Sequence, residues 1–336
     1  MSTPSIVLTH WVHQDVIDLL SPYGELVLNQ TKETLATDAL MHRMERAHAM
    51  MAFMPDCVDE AFLRQCPELK IIAAALKGYY NFDVAACTHH GIWFTIVPDL
   101  LTIPTAELAI GLMLAVTRNI GAGDQWIRSG HFKGWQPRFY GSGLSGACVG
   151  ILGMGRVGQT IAKRLTGFDA DVIYFDPQPL SGCKAQALCV CPVSLDELLA
   201  RSDYLICAIP LTLQTRHFIN QRMIADMKRG SYLVNVGRGS CVDEDAVAAA
   251  LGSEHLAGYA ADVFEMEDWA LEDRPGTIHP ALLAQKEKTV LTPHLGSAVN
   301  DIRKEIALEA ARNIIRVLDG HRPPGAVNRI DETVGC

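Results

Sequence analysis

Positive charge is in short supply. The chain carries 29 Lys and Arg against 38 Asp and Glu, a net charge of −9 with His neutral. Nucleic-acid binders are more often basic, so no nucleic-acid partner is expected. No apolar run approaches the ~20 residues of a membrane-spanning helix, so no membrane partner is expected either. The N-terminal MSTPSIVLTH lacks a basic stretch and a long apolar stretch, which argues against a signal peptide and for a cytoplasmic protein. Paired Cys-x-x-Cys is absent. The ten cysteines are scattered, Cys148 and Cys207 sit inside apolar runs, and CVC at 189–191 has no zinc spacing. They read as free thiols in a reducing compartment, with no metal site. Apolar material is plentiful: 49% hydrophobic, 20% charged and a mean hydropathy of +0.13 over 336 residues. That supports a sizeable core, excludes a disordered chain, and allows one large domain or two ordinary ones.

Short apolar runs alternate with helix-like segments along almost the whole chain. IVLTH (6–10), ELVLN (25–29), AMMAFM (49–54), KIIAAAL (70–76) and WFTIVP (93–98) form a first set of strands. CVGILG (148–153), DVIYFD (171–176), YLICAIP (204–210), SYLVNVG (231–237), GYAADVF (258–264) and TVLTPH (289–294) form a second. Nearly continuous apolar strands separated by helices predict parallel sheets covered on both faces, hence an α/β protein of two units. TIPTAELAIGLMLAVTRNI (102–120) reads as one long apolar helix between them, with Thr102 as its cap. HFKGWQPRFYGSGLSG (131–146) reads as a Gly- and aromatic-rich loop, and 300–320 as a last helix closed at Gly320.

Gly153-Met-Gly155-Arg-Val-Gly158 follows a strand and opens a helix, the context that gives this fingerprint value. The first glycine makes the tight turn, the second admits a pyrophosphate, and the third lets helix and strand pack. Arg156 sits where its charge can assist the phosphates. The next strand ends in Asp176, the expected partner of the adenosine ribose hydroxyls. A carboxylate there repels a 2′-phosphate, and Pro177, Gln178, Pro179 and Leu180 supply no cation, so NAD is favoured over NADP.

Ligands of open parallel sheets bind beyond the carboxyl ends of the strands. Met54, Lys77-Gly78, Leu101, Pro210, Arg238, Asp262 with Glu267, and His294 with Gly296-Ser297 follow successive strands. Each has a plain structural reading alone. Together, an Arg grips an anionic substrate at two points, and a Glu beside a His fixes its tautomer.

GMGRVG, the NVGRG turn, the DVFExE run, TPH and the spacings between Arg238, Glu267 and His294 resemble the D-isomer-specific 2-hydroxyacid dehydrogenases over essentially the whole chain. The resemblance implies two doubly wound parallel-sheet domains, with a Rossmann NAD domain inserted in a flavodoxin-like substrate domain. The substrate domain would be 1–100 and 297–336. The NAD domain would be 101–296, with a dimerisation segment and a homodimer built on it. The cofactor contacts it implies, besides the fingerprint with Val157 and Asp176, are Thr105, Ala208, Ile209, Pro210, Val236, Gly237, Asp262 and Gly296.

Within that family AFMPD (52–56), ALKG (75–78), RSGHFKGWQPRFYG (128–141), AADVFEMEDWA (260–270) and TPHLGSAV (292–299) are most similar to the phosphite-oxidising members. Lys77 is the telling residue, because a second cation beside Arg238 suits a small, highly charged oxyanion. The reaction implied is hydride transfer from phosphite to NAD with water addition. Arg238, Glu267, His294 and Lys77 would be catalytic. Met54, Gly78, Leu101, Trp135, Tyr140, Ser297 and Arg303 would bind or enclose the anion. The family usually has an Asp where Tyr80 stands, which removes a carboxylate close to Lys77. The alternative is a 2-hydroxyacid dehydrogenase or glyoxylate/hydroxypyruvate-type reductase that uses the same Arg238, Glu267 and His294.

Overall fold

The computed structural model describes residues 3–330. The chain divides into two compact units: Met1–Leu101, Trp269–Glu272 and Ala298–Cys336 form one, Thr102–Asp268 and Asp273–Ser297 the other. This division moves the expected boundaries by one residue and assigns Trp269–Glu272 to the first unit instead of the second. That short segment has no helix or strand to mark its allegiance in the sequence.

In the first unit, β1 (Ser5–Leu8), β2 (Glu25–Leu28), β3 (Ala49–Ala52), β4 (Ile71–Ala74) and β5 (Trp93–Thr95) build a parallel sheet in the order β2-β1-β3-β4-β5. This is the flavodoxin-like order. Successive side chains point to opposite faces. Ile6, Leu8, Met51 and Ile71 pack on one face with Ile306, Ala310 and Ile314 of the helix Asn300–Leu318. Val7, Met50 and Ile72 pack on the other with Leu63, Phe82 and Phe94. Both faces are therefore buried, which is why these strands read as unbroken apolar runs. The last helix stops at Gly320, whose φ of 77° continues the chain where a side chain would be strained. The following segment returns to β5: Asn328 Oδ1 accepts from Phe94 N–H at 2.9 Å, and its amide donates to the Ile92 carbonyl at 2.9 Å. Those bonds and the packing of Asn300–Leu318 on the sheet bring the two segments of the chain into one unit.

In the second unit, β6 (Cys148–Leu152), β7 (Asp171–Phe175), β8 (Val190–Pro192), β9 (Tyr204–Cys207), β10 (Ser231–Asn235), β11 (Leu256–Ala261) and β12 (Thr289–Leu291) form a parallel sheet. The order is β12-β11-β10-β9-β6-β7-β8, with reversal between β6 and β9. Both units are doubly wound α/β folds, and this order is that of the Rossmann fold.

Three expectations need correction. The edge strand β8 was not expected, because two of its three residues are exposed and its CVC sequence offers no apolar run. The single helix over 102–120 is two, Thr102–Thr117 and Ile120–Arg128, divided where Asn119 adopts a left-handed φ of 52°. Thr102 lies inside the first helix with its hydroxyl buried and without a hydrogen-bond partner, so it is not the cap. Among the described residues, no helix is long and apolar enough to cross a membrane.

Candidate active site

The fingerprint occupies the turn between β6 and the helix Arg156–Leu165. Gly153 has a φ of 96°, which a side chain would strain. A Cβ at Gly158 would lie 2.2 Å from the Gly153 carbonyl oxygen, so strand and helix meet only because residue 158 is glycine. At Gly155 a Cβ would meet nothing within 4 Å. That open side, next to a helix N-terminus with no side-chain cap, is the place a pyrophosphate needs. The residues present therefore fit a dinucleotide. The two glycines separate by experiment. Gly155→Val is expected to fold with an unchanged melting temperature and lose at least about 10-fold in NAD affinity. Gly158→Val is expected to lose several kcal/mol of stability. Thermal denaturation and NAD fluorescence titration read the two effects; equal losses of stability would contradict the assignment.

Asp176 follows β7, and both its oxygens hold backbone: Oδ2 accepts from Met154 N–H and Oδ1 from Gln178 N–H, each at 2.8 Å. The fingerprint turn is thus tied to the end of β7. Arg156 is exposed and Val157 half-buried. After β9, the half-buried Ala208 and Ile209 lie against Gly153, and a Cβ at Gly237 would lie 2.6 Å from the Ile209 carbonyl. Pro210 is exposed and accepts from the Thr215 hydroxyl at 2.7 Å; Val236 is buried, its N–H on the Cys207 carbonyl. These strand ends are brought together as expected from the parallel topology.

Glu267 ends the one-turn 3-10 helix Glu265–Glu267, just past β11. Its Oε1 accepts from Phe264 N–H at 2.8 Å, and its Oε2 lies 2.7 Å from His294 Nδ1. His294 has a φ of 53°, a left-handed conformation that a non-glycine residue keeps only when its surroundings enforce it. The enforcing residue is Asp262. His294 N–H donates to the Asp262 carbonyl, and the Asp262 carboxylate accepts from Leu295 N–H, Gly296 N–H and the Thr292 hydroxyl at 2.6–2.7 Å. Burial raises the pKa of Asp262, opposed by the Thr292 and Leu295 bonds. Its carboxylate is largely committed to this turn, which qualifies the expected cofactor contact. Thr105 and Gly296 are neighbours, since a Cβ at Gly296 would lie 3.2 Å from Thr105 Oγ1. Arg238 is half-buried at the end of β10, with Nη1 on the Gly237 carbonyl at 2.8 Å and its own carbonyl held by Asn235 Nδ2 at 3.0 Å. Ser297 is half-buried at the end of this unit.

Trp135 and Tyr140 belong to the same unit, but 81% of Trp135 and 76% of Tyr140 is exposed. Within one chain neither ring walls off water, because the loop between 131 and 146 contributes only Leu144 to the core.

In the first unit, Lys77 and Gly78 are half-buried beyond β4, Met54 beyond β3, and Leu101 ends the first segment. Arg303 stands on the first turn of Asn300–Leu318, its guanidinium 5.8 Å from the Phe53 ring centroid, and burial lowers its pKa. The ring beside the guanidinium is thus Phe53, one residue before Met54. His10, past β1, packs edge-on to the same ring at 5.5 Å; its pKa is lowered by burial and then by the Arg303 charge. Asp56 is buried and accepts from the Thr9 hydroxyl at 2.6 Å and Phe53 N–H at 2.7 Å. Burial pushes it up to about 6. Phe53 and Asp56 lie in the AFMPD motif, but neither they nor His10 carry a sequence signal for these contacts.

A model of the D-isomer specific 2-hydroxyacid dehydrogenase NAD-binding domain matches residues 110–296. A glyoxylate reductase of Thermococcus litoralis is 34% identical over 335 residues, covering 97% of each chain. A glyoxylate reductase of Pyrococcus horikoshii is 33% identical over 331 residues, covering 97% of this chain and 96% of its own. Among solved structures, an NADPH-dependent glyoxylate/hydroxypyruvate reductase of Sinorhizobium meliloti superposes with a TM-score of 0.81 at 28% identity, covering 97% of each chain. A D-isomer specific 2-hydroxyacid dehydrogenase of Polaromonas gives 0.87 at 28% identity, covering 98% of this chain and 100% of its own.

Proposed function

We propose a reaction for a chain that belongs to the D-isomer specific 2-hydroxyacid dehydrogenase family: the oxidation of phosphite to phosphate with NAD. The family membership makes it a nicotinamide-dependent oxidoreductase; the substrate and the choice of NAD over NADP are our reading. The observation that carries the substrate is a cation beyond each of two neighbouring strands of the first unit, Lys77 past β4 and Arg303 beside Phe53, which follows β3. A monocarboxylate is satisfied by one guanidinium fork, whereas phosphite presents three oxygens and more charge. In a protein of net charge −9, two such cations supply a local positive field.

The fingerprint turn and Asp176 would hold NAD, which would supply the acceptor for the P–H hydrogen and its electron pair, while a water oxygen completes phosphate. Arg238 binds and orients the anion. Glu267 accepts from His294 Nδ1–H, so in the neutral ring the lone pair lies on Nε2, ready to take the proton that water loses. The Asp262-held turn fixes the direction of that nitrogen.

A second reading is reduction of a 2-keto acid such as glyoxylate or hydroxypyruvate, with protonated His294 donating its proton. The names of the relatives at 33–34% identity favour it. The two separate in one assay: phosphite with NAD, against glyoxylate and hydroxypyruvate with NADH. Turnover with phosphite is expected; silence there with fast keto-acid reduction overturns our substrate.

Preference for NAD rests on Asp176. Asp176→Ala is expected to weaken NAD at least about 10-fold and to raise relative use of NADP, since a carboxylate repels a 2′-phosphate. An unchanged KM ratio for the two cofactors would refute this. A homodimer is our reading of the helix Ile120–Arg128, which buries no residue and exposes Ile120 and Ile127 by 56% and 59%. Analytical ultracentrifugation should give twice the chain mass, and Ile127→Asp should shift it to the monomer; a wild-type monomer contradicts the reading.

A further inference from the structure

Glu265 and His217 form a second histidine–carboxylate pair on the turn that carries Glu267. Glu265 Oε2 lies 2.8 Å from His217 Nε2, and Glu265 Oε1 accepts from Glu244 N–H at 2.9 Å. Glu244 is buried and returns the bond, its Oε1 accepting from Glu265 N–H at 3.0 Å and its Oε2 from His279 N–H at 3.0 Å. Glu244 opens the helix Glu244–Gly252, whose positive end favours the Glu265 carboxylate.

A single 3-10 turn is short and weakly bonded. Glu267 cannot anchor it, because one of its oxygens caps the turn itself and the other orients His294. The anchor comes from the neighbours. His217 N–H donates to the Ser240 carbonyl at 2.7 Å, and Ser240 N–H donates to the buried Asp268 Oδ2 at 2.7 Å. Ser240 lies in the turn Gly239–Cys241, which begins at Arg238. The bonds therefore run from Glu265 through His217 and Ser240 to Asp268, and so back to the turn that holds Glu267.

We propose that Glu265 and His217 are positioning residues that tie the turn carrying Glu267 to the turn carrying Arg238 and hold their functional groups in register. The proposal rests on reading Arg238, Glu267 and His294 as active-site residues. It does not depend on which anion they act upon.

The test compares Glu265→Ala, Glu265→Gln and His217→Ala in the full chain. Glu265→Ala is expected to lower kcat about 30- to 100-fold, the size of effect that a small misalignment produces, with NAD affinity within about twofold of wild type. His217→Ala should lower kcat about 5- to 10-fold. Glu265→Gln should stay within about threefold, because its amide oxygen still accepts from Glu244 N–H and its amide nitrogen can donate to His217. Histidine-selective 15N NMR without substrate supplies the second readout, with His294 assigned from His294→Gln. In Glu265→Ala the signal of the His294 Nδ1–H that donates to Glu267 should move from its wild-type position toward that in Glu267→Gln. A folded Glu265→Ala with wild-type kcat and an unmoved His294 Nδ1–H signal overturns the proposal. Should that variant fail to fold, His217→Ala decides alone, since the His217 side chain is 38% exposed; wild-type kcat and an unmoved signal there overturn it equally. A protein silent with phosphite but showing the His294 shift would lose the substrate reading and keep this one.

Discussion

Arg238→Lys is expected to cut kcat/KM by two to three orders of magnitude while the protein stays folded and binds NAD as before. The guanidinium sits beyond β10 with one nitrogen held by the Gly237 carbonyl, so its plane is fixed before substrate arrives. A planar fork meets two oxygens of one anion at once, whereas an ammonium meets them as a point charge on a flexible stem. Losing one charge-assisted bond and the orientation it fixes costs about 3–4 kcal/mol, which is the predicted factor. Steady-state kinetics with a parallel NAD titration checks it. Activity near wild type would remove Arg238 from the mechanism.

Lys77→Ala is expected to reduce phosphite turnover about 1,000-fold with NAD affinity unchanged, because the fingerprint and Asp176 lie in the other unit. The size follows from the charge. Two unit charges 4 Å apart are worth about 1 kcal/mol in bulk water and about 4 kcal/mol at the effective dielectric of a protein surface, and the second value corresponds to three orders of magnitude. The same substitution separates the two substrate readings. The single carboxylate of a keto acid needs only one guanidinium fork, so its reduction by Lys77→Ala would fall about 10-fold or less. A folded Lys77→Ala with unchanged phosphite kinetics would refute the role of Lys77.

Much of this architecture is legible in local sequence for a definite reason. A parallel strand buried on both faces must be a continuous apolar run, so IIAA and YLIC announce themselves. The three glycines of the fingerprint each answer a local demand, of φ, of space or of packing, and are equally visible. Glu267 and His294 become visible through strand ends and a resemblance. The rest depends on long-range meetings that no periodicity records. His217 and Glu265 are 48 residues apart in sequence, and Phe53 meets Arg303 from the far end of the chain. In the acidic EMED run only Glu267 stands out in sequence, yet Glu265 and Glu267 each hold a histidine and Asp268 a backbone amide. β8 escapes because its residues are mostly exposed, and the helix break escapes because a left-handed Asn119 has no signature among the apolar residues around it. Trp135 and Tyr140 are the converse case: the resemblance implies that they enclose the anion, and in a single chain both rings stand in solvent.

The roles proposed for Lys77 and Arg303 depend on phosphite being the substrate. The most direct test mixes the purified protein with NAD and phosphite and follows NADH and phosphate together. Both are expected to form in equal amounts, with deuterium placed on phosphorus appearing in the reduced nicotinamide. No NADH with phosphite, beside steady turnover of glyoxylate, hydroxypyruvate, D-lactate or D-glycerate, would contradict it and leave a hydroxyacid enzyme.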